Sequence, residues 1–77
     1  MERLEEKYLC RNGDEWEIWL VVYDSDQYAP GGKDEVIQYK KNGREVGHHT
    51  RHLDKYGRLL QENNHGVTDL PKDAKRV

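Results

Sequence analysis

The sequence predicts a small, mainly β domain: an antiparallel meander of four to five strands with room for one short helix, α+β being the alternative. Three observations carry that expectation. The chain has 77 residues, enough for one domain. Its apolar residues are few, 34% against 36% charged, and they concentrate in one β-branched and aromatic run, Trp16-Glu17-Ile18-Trp19-Leu20-Val21-Val22-Tyr23. Turn signals recur along the chain at Asn12-Gly13, Asn42-Gly43 and Asp54-Lys55-Tyr56-Gly57. Asn and Gly tolerate the positive φ that tight hairpins require.

Residues 2–11 fit a strand leading into the first turn, with Leu9 opposite Trp16. They also fit a short helix, because Leu4 and Tyr8 are four apart and Asn12-Gly13 would cap it. An isolated helix of about ten residues is marginal, so the strand is preferred. In the central run, Trp16, Ile18, Leu20 and Val22 point one way and Trp19, Val21 and Tyr23 the other. Both faces are apolar and both want cover, and Leu20 is expected in the core. Around Asn42-Gly43, a two-residue hairpin sets Lys41 against Arg44, Lys40 against Glu45, Tyr39 against Val46 and Ile37 against His48. The Lys40–Glu45 and Tyr39–Val46 pairs favour it. Residues 45–63 read as two strands about the Asp54–Gly57 turn. A helical reading uses Val46, His49, Leu53, Tyr56 and Leu60, and Gly57 would cost that helix about 1 kcal/mol. The domain is placed at 1–70, with 71–77 as a flexible charged tail.

Leu53-Asp54-Lys55-Tyr56-Gly57-Arg58-Leu59-Leu60 resembles the Tyr-Asp-containing repeats of large Rhs-type β proteins. The resemblance covers one hairpin, is not repeated, and implies shared turn chemistry.

Composition narrows the function classes. A single cysteine, Cys10, rules out an internal disulfide framework. The longest apolar stretch, Ile18 to Tyr23, is far shorter than the roughly twenty residues of a membrane helix. No leader is visible behind Met1, so a cytoplasmic location and no membrane partner are expected. No nucleophile elbow, P-loop or Gly-x-Gly-x-x-Gly occurs. No catalytic residue, cofactor or metal is therefore assigned, and the protein is expected not to be an enzyme. Counting Asp24 as position one, Asp26 and Glu35 fall at calcium-loop positions, but Ala29 stands where the sharp turn needs Gly. His48 and His52 share a face in a helix; in a strand their rings project about 13 Å apart, too far for one metal.

Charge is uneven. Residues 1–35 carry −6 and residues 36–77 carry +4. The first half suggests an acidic or apolar sheet face that docks on a larger protein, one that itself binds nucleic acid being a fitting target. Its candidate residues are Asp14, Glu15, Glu17, Trp19, Asp24 and Asp26. The role expected is that of a small accessory, inhibitor or anti-defence protein of the kind phages and mobile elements encode, with a second copy of the chain as another way to cover the apolar run. The alternative is nucleic-acid binding by the basic strip 39–58, through Tyr39, Lys40, Lys41, Arg44, Arg51 and Tyr56. The overall pI near 6.1 weighs against it.

Overall fold

The computed structural model describes residues 1–77 and contains no helix. Its strands are β1 (Glu2–Leu9), β2 (Glu15–Asp24), β3 (Lys33–Lys41), β4 (Arg44–Leu53), β5 (Leu59–Gly66) and β6 (Lys75–Arg76). They form one open antiparallel sheet in the order β5-β4-β3-β2-β1-β6. The meander is as expected. The α+β alternative is not: residues 2–9, 45–53 and 59–63 are strand, with a turn at 54–58, because the ladders along β2 and β4 satisfy backbone groups that a short free helix would leave to water.

Registers differ from expectation by single residues. In the first hairpin Leu9 faces Glu15 and Tyr8 faces Trp16. Cys10 and Asp14 close a loop of Arg11-Asn12-Gly13, with the Cys10 amide donating to the Asp14 carbonyl at 2.9 Å. That shift sets Lys7 against Glu17, and a bulge at Glu5 then sets Leu4 against Trp19. In the second hairpin Asn42 and Gly43 both take positive φ, 51° and 83°, and Lys41–Arg44 and Lys40–Glu45 pair as expected. Beyond them Val46 bulges, so Tyr39 meets Gly47 and Ile37 meets His49.

The reason for the Val46 bulge lies in the C-terminal segment. Residues 71–77 are not a frayed tail. After Gly66 the Val67 amide bonds the Val46 carbonyl at 3.0 Å. Residues 67–74 then cross the sheet to its far edge, where β6 pairs with Tyr8 and Leu9 and the Val77 amide bonds the Lys7 carbonyl at 3.0 Å. A Cβ on Gly47 would overlap the Val67 backbone. The bulge therefore places a glycine where this strap passes closest. The strap crosses the front face, that of Trp16, Ile18 and Leu20. At the opposite end, the loop Ser25–Gly32 folds onto the back face, where the Tyr28 ring packs 4.3 Å from that of His52.

Between these two covers the sheet is a single layer. Cys10 and Trp16 are the only buried hydrophobic residues; Leu20 is half-buried and is not the core residue expected. The molecule measures 45 × 20 × 18 Å with a radius of gyration of 14.1 Å. A globule of this length would have about 11.5 Å. Its accessible surface is 5400 Å², against roughly 4900 Å² for a compact monomer of this mass. No helix is long and apolar enough to cross a membrane.

Candidate docking face around Trp19

The back face is built from the strand alternation of β1 to β4. Across the sheet Leu4, Trp19, Gln38 and His48 lie in one row. Glu2, Val21, Val36 and Thr50 form the row beside it, and Lys7, Glu17, Lys40 and Glu45 the row on the other side. Trp19 is fixed within this lattice. Its indole Nε1–H donates to Glu17 Oε1 at 3.2 Å, and the Lys40 ammonium sits 4.7 Å from the ring centroid. A cation over an indole face contributes about 0.5–1 kcal/mol at an exposed site. The ring, itself half-buried, is held in place next to an exposed Leu4 and half-buried Val21 and Val36.

The acidic candidates separate into three places. Glu15, Glu17 and Trp19 share the back face of β2. Asp14 belongs to the turns: it accepts from the side chains of Asn12 and Asn42, each at 3.0 Å, and pairs with Lys41 at 3.5 Å. The Asn42 hydrogen bond leads the causes that hold its carboxyl below the ordinary carboxylate value. Asp24 and Asp26 lie at the other end of β2, about 23 Å from Glu17 by strand rise. Asp24 falls on the front face, opposite Lys33. Asp26 accepts the Gly31 amide at 3.0 Å and shapes its own loop.

The basic strip divides in the same way. Tyr39, Lys41 and Arg51 fall on the front face, and Lys40 on the back. Arg44 lies at one end of the β3–β4 hairpin and Tyr56 in the turn at the other. Lys41 is paired with Asp14, and Arg51 with Glu35 at 3.3 Å. The structure thus offers no continuous run of unpaired cations for a phosphate backbone to follow.

The histidines also have individual partners. His52 bonds Asp34 at 2.6 Å in a buried pair. His49 bonds Asn64 and Glu62. His48 lies 3.3 Å from Glu45 and stacks on His65 at 5.1 Å. No group of three or more His, Cys, Asp or Glu is placed to hold a metal ion.

Leu4, Val36 and Gln38 were not legible as site residues. Leu4 reaches Trp19 only through the Glu5 bulge, and no sequence pattern marks that bulge. Lys40 was legible as a cation, but its placement over Trp19 follows from the β2–β3 register. On the front face, Ile18, Leu20 and Ile37 floor a shallow groove of about 370 Å³ beside Glu6 and Arg76.

Fold and site together define a class: a single-layer antiparallel β protein carrying a pre-oriented tryptophan on an open face. Comparison with protein-family models, with curated proteins and with solved structures finds no match.

Proposed function

We propose that the chain is a non-enzymatic docking module that binds a larger protein through the back face, with Trp19 as the anchor and Glu15 and Glu17 as the acidic rim. The observation supporting this reading is that Trp19 is oriented by Glu17 and Lys40 yet lies under no second layer of protein. Interface energy concentrates in aromatic anchors of this kind, ringed by polar groups. The acidic rim favours a partner with a basic surface, because complementary charge speeds encounter and fixes orientation. An accessory or inhibitor that covers such a surface is the role in view.

The test is affinity capture from the native host, comparing the wild-type chain with Trp19→Ala and Glu17→Lys. A partner retained by wild type and lost with both variants supports the reading, and its association should slow as salt rises. Capture that is indifferent to both substitutions overturns it. A salt-sensitive mobility shift with random duplex DNA, abolished by replacing Lys40 and Lys41, would favour the basic strip instead.

A further inference from the structure

The two edges of the sheet are unlike. The β1 edge carries five charges in eight residues, Glu2, Arg3, Glu5, Glu6 and Lys7. It is bulged at Glu5 and partly covered by β6. These are the devices by which sheets keep an edge from pairing with another chain. The β5 edge, Leu59–Gly66, has none of them over most of its length. It holds one formal charge, Glu62, and no proline, and every residue in it is exposed. Its bulge, at Leu60, sits near one end, and Gln61 to Gly66 run on as regular strand with outward backbone groups unpaired.

We infer that β5 is the contact edge of a symmetric dimer in which two copies pair this strand antiparallel about Asn63, giving one continuous twelve-stranded sheet. A two-fold axis perpendicular to the sheet keeps like faces together, so one residue must oppose its own copy. Centring on Glu62 sets two carboxylates against each other, which is unfavourable. Centring on Gln61 draws the Leu60 bulge into the pairing, and centring on Asn64 leaves Gln61 unpaired. Asn63 is the middle of the regular stretch. It sets Gln61 against His65 of the second copy, Glu62 against Asn64, and Asn63 against itself. No like charges meet. Each Glu62 has one oxygen on His49 and the other free to accept the Asn64 amide across the seam. A second copy is the occupant because the edge is self-complementary in this register, whereas a basic or acidic foreign strand finds only one charge there.

This contact is independent of the Trp19 face. Five central pairs make a small interface, so the dissociation constant is expected on the order of 100 μM. Sedimentation velocity from about 10 μM to about 1 mM tests it. Wild type should show a reversible monomer–dimer equilibrium. Asn63→Lys opposes two cations at the axis and should weaken it by about tenfold or more. Trp19→Ala should leave it unchanged. A strict monomer at the top concentration overturns the inference, as does a dimer that Asn63→Lys does not weaken. A dimer lost in Trp19→Ala overturns it too, because the contact would then lie on the other face. Should Asn63→Lys not fold, Asn63→Cys decides: with oxidised glutathione it should cross-link faster than Glu62→Cys, and equal rates refute the register.

Discussion

Asp54 is satisfied by its own turn. One carboxylate oxygen accepts the Tyr56 and Arg58 amides at 2.9 and 2.8 Å, and the other accepts Arg58 Nε at 2.8 Å. The Arg58 contacts lead the causes that hold its carboxyl below the ordinary value, and Asp14 is lowered likewise by Asn42. A carboxyl with a depressed folded-state pKa contributes stability that is fully present above the unfolded value, about 3.9 for Asp. That contribution is lost as pH falls through the folded value. Denaturant titrations at stepped pH should therefore show stability falling below about pH 4, and Asp54→Asn should flatten that fall. Gln38 is the reverse case: its side-chain Oε1 is buried without a donor. Removing such a group spares its desolvation cost, so Gln38→Met is expected to leave stability unchanged or raise it by up to about 1 kcal/mol in chemical denaturation. Trp16, 4% exposed, is the one large core side chain. Trp16→Ala should cost about 3–5 kcal/mol, whereas half-buried Leu20→Ala should cost about 1 kcal/mol.

At the scale of elements, the strap and its glycine act together. Gly47→Ala drives a methyl into the Val67 backbone, and overpacking of this kind costs about 1–3 kcal/mol. In a Trp19→Phe background the Trp16 emission should shift to the red as the strap lifts; an unshifted spectrum would show that the strap is not what covers Trp16. The same element marks where the sequence stops being legible. The meander, the two faces of β2 and the Asn42-Gly43 turn follow from alternation and from residues that accept positive φ. The bulges at Glu5 and Val46 do not: the one at Val46 answers a contact made far along the chain, because Gly47 sits under the strap, and the one at Glu5 has no local signal. The strap itself, Val67-Thr68-Asp69-Leu70-Pro71-Lys72-Asp73-Ala74, has neither strand alternation nor helical period. Its order comes from tertiary bonds, such as the Arg11 amide on Asp73 at 2.9 Å. The Trp19 site was half legible for the same reason. The tryptophan and Glu17 are neighbours on one strand face, while Leu4, Val36 and Lys40 come from registers.

Over the whole molecule, a long single sheet with two small covers leaves little apolar area to oppose chain entropy. Its stability is expected at the low end for a domain of this size, and a partner on the proposed Trp19 face or a second copy at the proposed β5 edge would raise it by mass action. The unfolding midpoint of the wild-type chain should thus climb with protein concentration. That of Asn63→Lys should climb far less, as differential scanning calorimetry over a concentration series would show.

The strap starts at Val67, bonded to Val46, and leads to the β1 edge, where Val77 bonds Lys7. It can close only once β1 to β4 are already aligned, since its landing sites, Gly47 and the β1 edge, do not exist side by side before then. Loop-closure entropy places such a contact after the rate-limiting barrier. Its loss should therefore appear as faster unfolding rather than slower folding. In stopped-flow chevrons, Gly47→Ala and Leu70→Ala should raise the unfolding limb and leave the refolding limb in place, whereas substitutions in the Asn42-Gly43 turn should lower the refolding limb.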